Sequence, residues 1–459
     1  MSAAAPTPHT TTWIKDPLAI LAAEGLDATG GVVVEGDRIV EVLAAGEEPT
    51  IPYETTFDAR EHVVVPGLIN THHHFYQTLT RAWAPVASAE LFPWLVNLYP
   101  VWAGLTPRDL ELATTAALAE LLLSGCTTAA DHHYLFPGGL EDAIDIQVDA
   151  ARRLGMRAVL TRGSMTLGTD DGGLPPQDVV QDLDTILSDS RRLVESYHER
   201  GPGAQIQIAL APCSPFSVTR EAMRDSAALA EELDVRLHTH LAETVDEERF
   251  CLERFGMRTV DYLESVGWLG PRAWLAHGIH FDDGEVARLG AAGVGVAHCP
   301  TSNMRLASGT CRAVELEDAG AAVGLGVDGS ASNDGSNLVL EARQALYLQR
   351  LRYGAEVPPE RALRWATAGS ARVLGREDLG EIAVGKQADL ALFRLDELRF
   401  SGSHDPLAAL LLCGADRADR VMVAGRWRVV DGAIEGLDVP ALIAEHSRAA
   451  RGLLTRAGV

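Results

Sequence analysis

Lysine is almost absent from this chain of 459 residues. Only Lys15 and Lys386 occur, so the other 37 of the 39 basic residues are arginines. Positive charge as a whole is also scarce, because 64 acidic residues against 39 basic ones give a formal net charge of −25. An acidic surface of this size repels phosphate backbones and anionic membrane surfaces. The composition therefore argues against nucleic acids and membranes as the main partners.

A cysteine framework and a membrane-length apolar run are missing too. The six cysteines contain no CxxC pair, which favours reduced thiols. The most apolar helix-like stretch, residues 112–123, contains Glu120 and falls short of the roughly 18 residues that a span needs. Residues 1–12 lack the charged and apolar regions of a secretory signal. We therefore expect a cytoplasmic protein.

The chain contains 47% hydrophobic and 22% charged residues, which is typical of a soluble globular protein. Both of its ends are rich in short strands, predicted at 30–34, 38–42, 388–393, 420–424 and 427–430. The two ends of a domain usually lie close together. Residues 1–65 and 375–459 are therefore expected to form one small composite β-sandwich domain, which a terminal helix completes.

The middle of the chain, residues 66–374, alternates short apolar strands with amphipathic helices. After a first strand ending near Thr71, strands are predicted at 126–131, 156–162, 205–211, 235–241, 273–277, 293–298 and 323–328. The helices between them are predicted at 110–124, 143–154, 179–199, 220–233, 259–266, 285–292 and 314–321. Eight βα units indicate a closed parallel barrel. The expected fold class is α/β, a (β/α)8 barrel of the TIM type beside the β-sandwich domain.

Histidine is concentrated where such a barrel builds its active site, at the carboxyl ends of the strands. His72 and His74 follow the first strand two residues apart, so an extended backbone directs both to one side. His240 ends the fifth strand and Asp328 ends the eighth. Three nitrogen donors and one oxygen donor suit Zn²⁺ or Fe²⁺. A lone His-x-His is usually a pair of core histidines, but donors on three strand ends favour a metal site.

The segments PGLINTHHH, HTHLAET, LAHGIHF, HCPTSNMRLASG and VDGSASND resemble the signatures of the amidohydrolase superfamily. More narrowly, they are similar to its branch of purine, pterin and triazine deaminases and chlorohydrolases, over essentially the whole chain. The resemblance implies that one divalent metal, Zn²⁺ before Fe²⁺, is bound by His72, His74, His240 and Asp328. It also implies that Glu243 and His277 transfer protons and polarise the substrate.

The shortage of lysine limits this metal centre. Many members of the superfamily hold two metals that a carboxylated lysine on the fourth barrel strand bridges. Neither Lys15 nor Lys386 lies in the barrel, and the fourth strand, predicted at 205–211, contains no lysine. We therefore expect a mononuclear site.

The expected reaction is a hydrolytic deamination. A single Lewis-acidic metal lowers the pKa of its bound water to near neutrality and supplies hydroxide at pH 7. Asp328 would accept a proton from that water, and Glu243 would carry a proton to a ring nitrogen of the substrate. His277 would orient the hydroxide and stabilise the tetrahedral intermediate. The alternative role for Glu243 is to cap the helix that begins near Thr244.

Four further histidines follow or end barrel strands without being expected as ligands. His73 lies between two predicted ligands and is expected to point the other way, into packing. His298 resembles a position that is polar in the family but does not bind metal. His132 and His133 are expected to be structural, unless one of them faces the pocket.

The long segment after the first strand is expected to be a loop that binds a planar ring. Trp94 would stack on a heteroaromatic substrate and Gln77 would hydrogen-bond its edge, unless the aromatic residues serve only as loop core. Arg162, at the end of the third strand, would bind a carbonyl or anionic oxygen. Cys213 and Ser214, at the end of the fourth strand, would contact the ring.

Within the branch, these segments look most like those of bacterial deaminases that act on 8-oxoguanine. That resemblance implies conversion of 8-oxoguanine and water to urate and ammonia. Isoxanthopterin, guanine and s-triazines stay open as substrates, the last by amino- or chlorohydrolysis. A catalytically inactive scaffold is a further alternative, but it predicts the loss of a ligand or an acid-base residue, and all six positions are filled. The resemblance also implies a homo-oligomer.

The lysine argument predicts the metal content of the purified protein. We expect one divalent metal ion per chain at full activity, because no lysine is available to bridge a second one. Metal analysis of the protein by atomic emission, alongside its specific activity, measures this ratio. Two ions per chain in fully active protein would contradict the argument.

Overall fold

The structure is a computed structural model and describes residues 10–459. Most of residues 1–12, in which a secretory signal was sought, therefore lies outside the described residues. Its strands, in chain order, are β1 (Thr12–Lys15), β2 (Ala19–Ile20), β3 (Gly31–Glu35), β4 (Arg38–Leu43), β5 (Thr55–Asp58), β6 (His62–Pro66), β7 (Leu68–Asn70), β8 (Cys126–His133), β9 (Arg157–Ser164), β10 (Ile206–Pro212), β11 (Leu237–Leu241), β12 (Ala273–His277), β13 (Gly295–His298), β14 (Ala322–Leu325), β15 (Leu390–Arg394), β16 (Arg420–Val423), β17 (Arg426–Val430) and β18 (Ala433–Ile434).

The α-helices are α1 (Leu91–Trp102), α2 (Pro107–Leu123), α3 (Ala143–Leu154), α4 (Leu183–Tyr197), α5 (Arg220–Leu233), α6 (Val245–Phe255), α7 (Thr259–Ser265), α8 (Asp283–Ala291), α9 (Pro300–Arg305), α10 (Ala313–Asp318), α11 (Leu338–Tyr353), α12 (Pro359–Arg364), α13 (Ser370–Val373), α14 (Pro406–Ala409) and α15 (Val439–Arg456). None of these helices is both long enough and apolar enough to cross a bilayer.

Strands β7 to β14 close into a barrel in chain order, and all neighbouring pairs are parallel. The predicted barrel is therefore confirmed. Every residue of β8 and β9 is buried, as expected for parallel strands that helices cover on the outside. Such a barrel gathers its functional groups at the carboxyl ends of the strands.

The two ends of the chain share a sheet, as the sequence predicts. β15 pairs antiparallel with β6, from Leu390 opposite Pro66 to Arg394 opposite His62, in a sheet of order β18-β17-β16-β15-β6-β2. A second sheet, of order β4-β3-β1-β5, faces it. The apolar core between them combines residues from both sheets, including Ile14 and Val32 with Leu390 and Met422.

Local signals mark several helix boundaries; α3 covers the predicted residues, whereas α2 begins three residues before its predicted start. Helix α2 begins with Pro107 after Thr106, and the side chains of Thr106 and Asp109 form a capping box. Helix α3 ends at Gly155, whose φ of 64° favours glycine. Because these signals lie in neighbouring residues, they can be recognised without knowledge of the fold.

The segment predicted as a loop after the first strand is instead largely helical, and that prediction is wrong. Residues Phe75–Thr80 form a 3-10 helix, and α1 covers Leu91–Trp102. Helix α1 is apolar on most of its surface and contains Pro100, so the contrast between an apolar and a polar face, which marks an amphipathic helix in a sequence, is weak. The eighth strand also ends earlier than predicted, and Asp328 follows β14 after two intervening residues.

A buried ion pair joins the barrel to the β-sandwich. Arg157, the first residue of β9, donates from Nε to Asp389 Oδ2 at 2.9 Å and from Nη2 to Asp389 Oδ1 at 3.1 Å. Both side chains are almost fully buried. We expect Arg157→Leu to lower the free energy of unfolding by about 3–5 kcal/mol, because it leaves a carboxylate buried without its counter-charge. Chemical denaturation measures the change.

The control for this prediction is Arg288→Leu, which removes an arginine paired with Asp261 and Glu264 on the protein surface. Exposed pairs of this kind contribute less than about 1 kcal/mol. Equal losses of unfolding free energy in both variants would show that the buried Arg157–Asp389 pair stabilises the protein no more than a surface pair does.

Candidate active site

A narrow cavity opens at the carboxyl ends of the barrel strands. It is bounded by residues from β11, β12, the segments after β7 and β14, and helix α1; they are His74, Gln77, Leu91, Trp94, Leu95, Tyr99, Tyr134, Cys213, Phe216, His240, Glu243, His277, Leu306, Asp328 and Ser332. The cavity therefore lies where a (β/α)8 barrel is expected to bind its ligand.

Three residues at or after these strand ends have a left-handed backbone. Ala242 has a φ of 55°, His277 a φ of 72° and Asp328 a φ of 61°. Such conformations cost non-glycine residues free energy, and they cluster at functional sites where the surrounding structure holds them. Two of the three carry side chains that face the cavity, so the strained backbone serves to direct these side chains.

The tautomers of His74 and His240 are set by backbone carbonyls. His74 Nδ1 donates to the carbonyl oxygen of His132 at 2.7 Å, and His240 Nδ1 donates to that of Cys213 at 2.7 Å. In its neutral form, which a metal ligand must adopt, each imidazole therefore keeps a lone pair on Nε2. These two Nε2 atoms face each other at 3.2 Å. Two lone pairs cannot hydrogen-bond to each other, so the arrangement fits a cation between them.

His72 presents a third lone pair through a relay of hydrogen bonds. His238 Nδ1 donates to the carbonyl oxygen of Trp274 at 2.9 Å, which leaves its Nε2 as an acceptor. His72 Nδ1 donates to that atom at 2.7 Å, so the proton of His72 is on Nδ1. Its Nε2 is buried and has no hydrogen-bond partner in the described structure. Metal-binding histidines are held by just such partners on the other ring nitrogen.

Asp328 completes the cluster with a negative charge. Its Oδ1 lies 3.3 Å from Nε2 of both His72 and His74, and its Oδ2 accepts hydrogen bonds from Ser302 at 2.6 Å and Ser332 at 3.2 Å. Burial would raise the pKa of Asp328, but the two histidines hold it well below its usual range. The carboxylate is therefore an anion beside Nε2 of His72 and of His74.

The distances between these ligand atoms and their chemistry fit a divalent metal ion. His72, His74 and His240 bring ligand atoms within 4.8 Å of one another, and so do His72, His277 and Asp328. Burial lowers the pKa of His240 to about 3, so the ring is neutral at pH 7 as a ligand must be. Three imidazoles and one carboxylate are ligands that suit zinc.

Glu243 and His277 form a pair beside the cluster. His277 Nε2 lies 3.4 Å from Glu243 Oε2 and 4.0 Å from Asp328 Oδ2, and His277 Nδ1 lies 2.9 Å from Asn303 Oδ1. Burial, with the charge of Asp328 as the second cause, raises the pKa of Glu243 to about 8. A carboxyl group whose pKa lies near neutrality is suited to carry a proton.

Glu243 does not cap helix α6, which answers the alternative reading of this residue. Thr244 is the N-cap, and its side chain accepts a hydrogen bond from the amide of Glu247. The carboxylate of Glu247 accepts in turn from the amides of Ala242 and Glu243, each at 3.0 Å. Glu247 thus anchors the backbone that carries Glu243. The sequence signal for it is the Thr-x-x-Glu spacing of a capping box.

The predicted substrate contacts are only partly brought to the cavity. Gln77, Trp94 and Cys213 lie in its wall. Ser214 is buried beside it and hydrogen-bonds to Ser217 at 2.7 Å. Arg162 lies elsewhere, and this contradicts the prediction that it contacts the substrate.

Arg162 faces the outer side of the barrel. Its Nε donates to Asp189 Oδ2 of helix α4 at 2.6 Å, and its Nη2 donates to Gln181 at 3.0 Å. Its guanidinium also lies over the ring of Phe136, 3.7 Å from the centroid. Successive side chains of a strand point to opposite faces, and Arg162 occupies the face that meets the helices.

The remaining histidines have structural partners. His73 Nε2 lies 2.9 Å from the hydroxyl of Ser336, and His298 lies next to Gln349. His133 donates to the carbonyl oxygen of Leu135. His132 lies nearer the cluster: its ring stacks on His240, with 4.6 Å between the centroids.

Sequence reasoning missed several residues of the cavity. Leu95 belongs to the segment predicted as a loop and Tyr99 was given no role, yet they share a face of helix α1 with Leu91, at intervals of four residues. Tyr134 follows β8, beyond the predicted end of that strand. The four-residue spacing from Leu91 to Tyr99 is the sequence signal that could have found Tyr99.

Comparison with known proteins identifies the class. The sequence profile of the amidohydrolase family matches residues 63–428, which is most of the chain. The chain therefore belongs to the amidohydrolase family, and the resemblance found in its motifs is confirmed.

Particular relatives cover almost the full length. The chain is 73% identical over 444 residues to an 8-oxoguanine deaminase from Pseudomonas aeruginosa, with 96% of this chain and 99% of the relative covered. It is 37% identical to an isoxanthopterin deaminase from an unknown prokaryotic organism, over 92% of this chain and 91% of the relative. A crystal structure of atrazine chlorohydrolase from Arthrobacter aurescens complexed with zinc matches with a TM-score of 0.90 and 33% identity, over 96% and 100% of the two chains.

The hydrogen bond from His72 to His238 predicts a dependence of metal affinity on a residue outside the ligand set. His238→Phe keeps a ring of similar size but removes the acceptor that holds His72 in its tautomer. We expect the affinity for zinc to fall about 10- to 100-fold. Competition with a chelating dye measures the affinity.

The matched control is His62→Phe, because His62 is a buried histidine of the β-sandwich that pairs with Asp419. This substitution should leave the zinc affinity unchanged. If His238→Phe also leaves it unchanged, the relay to His72 does not support metal binding.

Proposed function

We propose that this chain is a mononuclear metal-dependent deaminase that hydrolyses 8-oxoguanine to urate and ammonia. The observation that carries the proposal is the convergence of three imidazole lone pairs and one carboxylate, with the Glu243–His277 pair beside them. The identity of 73% to an enzyme named 8-oxoguanine deaminase supports the choice of substrate.

The proposed metal is one Zn²⁺ ion, with Fe²⁺ as the second candidate, held by His72, His74, His240 and Asp328. When bound, the metal lowers the pKa of a coordinated water toward neutrality and so makes a nucleophile available at pH 7. The nitrogen-rich donor set and the zinc in the atrazine chlorohydrolase structure support this assignment.

Glu243 is proposed as the proton carrier. Its carboxyl group takes the proton that the attacking water loses and delivers it to the ring nitrogen next to the carbon under attack. Glu247 holds the backbone of this residue through two amides, which keeps the carboxyl group at a fixed distance from the reacting atoms. Preorganised acid-base groups of this kind need no rearrangement during the reaction.

His277 and Asp328 are proposed to act on the attacking water and on the leaving group. His277, whose Nδ1 donates to Asn303 Oδ1, keeps a lone pair on Nε2 and accepts the hydrogen bond that orients the attacking water. Asp328, held by two serine hydroxyls, holds the second proton from water and releases it to the departing amine. Ammonia leaves, and the ring carbon keeps a carbonyl oxygen.

The ring of the substrate is proposed to lie between the apolar side chains of the cavity. Trp94 is fixed by a hydrogen bond from its Nε1 to the carbonyl oxygen of Ala331 at 3.1 Å, and Phe216 stands in the same wall. Gln77 would bond to the pyrimidine edge and Cys213 to the other ring. Ser214 would act only by supporting Cys213 from behind the wall.

A second candidate substrate is isoxanthopterin, because the relative named for that reaction is 37% identical over most of both chains. Guanine and s-triazines are the remaining alternatives. We further propose a homo-oligomer, which the family resemblance favours. We also propose a cytoplasmic location, because all six cysteines are free thiols in the structure, as a reducing compartment allows.

Ammonia release from a panel of 8-oxoguanine, guanine, isoxanthopterin and an aminated s-triazine tests the proposal. We expect 8-oxoguanine to have the highest kcat/KM. Glu243→Gln should lower its kcat at least about 10²-fold, because the variant keeps the shape of the side chain but cannot carry a proton. Metal content should stay at the level of the unaltered protein.

Glu253→Gln provides the control, because Glu253 lies exposed on the same helix α6 and its replacement should leave kcat unchanged. Near-normal turnover by Glu243→Gln would remove Glu243 from the mechanism. A higher kcat/KM for another member of the panel would overturn the substrate assignment and leave the class of reaction intact.

A further inference from the structure

Three tyrosines cluster at one wall of the cavity. Tyr99, from helix α1, and Tyr134, which follows β8, line the cavity itself. Tyr76 packs behind them, with its ring centroid 6.0 Å from that of Tyr134. All three rings are buried. Their hydroxyls therefore depend on partners inside the protein or in a bound ligand.

The hydroxyl of Tyr99 has no hydrogen-bond partner among the described residues, and its oxygen is inaccessible to solvent. Polar groups elsewhere in the same wall do have partners: Trp94 donates to Ala331, and Ser332 donates to Asp328. A buried hydroxyl without a partner is costly in free energy. Tyr99 is therefore a hydrogen-bonding group that a ligand in this cavity can satisfy.

The hydroxyl of Tyr99 keeps its proton. Burial raises the pKa of Tyr99 well above its usual range, and the nearby Cys213 thiol adds to the effect. The residue is thus a neutral donor near Cys213, which stands in the same wall. A carbonyl oxygen is the ligand group that such a donor suits, whereas a C–H group leaves it unpaired.

The reaction fixes which end of a purine lies beside Glu243 and His277. In 8-oxoguanine the amino group that leaves is on C2 of the pyrimidine ring, and the extra carbonyl is on C8 at the opposite end of the molecule. C2 must lie beside Glu243 and His277 for proton transfer. The C8 carbonyl then enters the part of the cavity away from these two residues, where its oxygen needs a donor.

We propose that the Tyr99 hydroxyl donates a hydrogen bond to the C8 carbonyl oxygen and so selects 8-oxoguanine over guanine. The proposal rests on the proposed function and names the residue that sets its substrate preference. Guanine carries C8–H at this position and leaves the hydroxyl unpaired, which is the situation in which a binding site rejects an analogue most strongly. The Tyr99 hydroxyl also supplies a donor for the C8 edge of the substrate, which Arg162 cannot reach because it lies outside the cavity.

The test is the substitution Tyr99→Phe, which removes one oxygen atom and keeps the ring. We expect kcat/KM for 8-oxoguanine to fall about 10- to 100-fold, the range that follows from leaving one carbonyl without its donor. For guanine, kcat/KM should change by less than about threefold, because guanine does not use the hydroxyl. The ratio of the two values therefore falls at least about threefold.

The matched control is Tyr262→Phe. Tyr262 is also fully buried and its hydroxyl also lacks a partner in the described structure, but it lies on helix α7 and does not line the cavity. This variant should leave both kcat/KM values unchanged. Equal losses for 8-oxoguanine and guanine in Tyr99→Phe would overturn the proposal, and so would an unchanged value for 8-oxoguanine.

A binding measurement decides the proposal without turnover. Urate and xanthine, the products expected from 8-oxoguanine and guanine, differ in the same C8 carbonyl. Their inhibition constants against a common substrate should differ in the unaltered protein, and Tyr99→Phe should reduce that difference at least about tenfold. An unchanged ratio in the variant overturns the role of Tyr99.

The two proposals fail in different ways. If the unaltered protein does not deaminate 8-oxoguanine, the proposed function is wrong before any variant is made, and the inhibition constants of urate and xanthine, measured with the best substrate of the panel, still report on Tyr99. If the unaltered protein prefers 8-oxoguanine and Tyr99→Phe keeps that preference, only the assignment of Tyr99 fails.

Discussion

The site depends on one constraint: the barrel holds several histidine ring nitrogens and a carboxylate close together, although in the form that binds a metal they cannot hydrogen-bond to one another. His74 and His240 bring two imidazole lone pairs to 3.2 Å, and His72 adds a third beside the Asp328 carboxylate. Such a cluster is unfavourable unless a cation draws the four groups together. The protein holds the cluster in place through two backbone carbonyls, which fix His74 and His240, and through the side chain of His238, which fixes His72.

The cluster of candidate metal ligands could be predicted because the positions of its members follow from chain topology alone. A strand that ends in His-x-His, another that ends in histidine and a third followed by aspartate come together in any closed barrel. The groups that orient these ligands could not be predicted in the same way. His238 supports His72 only because β11 crosses the barrel opposite the first strand, and Glu247 supports Glu243 through backbone amides that a sequence does not show.

The side chains that line the cavity were harder to predict than the candidate ligands because they depend on which way a side chain points. Arg162 is one residue away from the inner face of β9, and this single step turns it toward helix α4 and Asp189. Tyr99 was hidden for another reason. Helix α1 is apolar on nearly every side, so the contrast between its faces is weak, and only the four-residue spacing of Leu91, Leu95 and Tyr99 marks the face that meets the cavity.

The pairing of β6 with β15 joins a strand that is made early in synthesis to a strand that is made late. A single residue, Gly67, separates β6 from the barrel strand β7, and two of the proposed ligands follow directly. This segment leaves the ribosome early, whereas β15, which covers one edge of β6, is among the last strands to be made. For most of the time on the ribosome that edge, with three consecutive valines, is therefore open to mispairing with other strands.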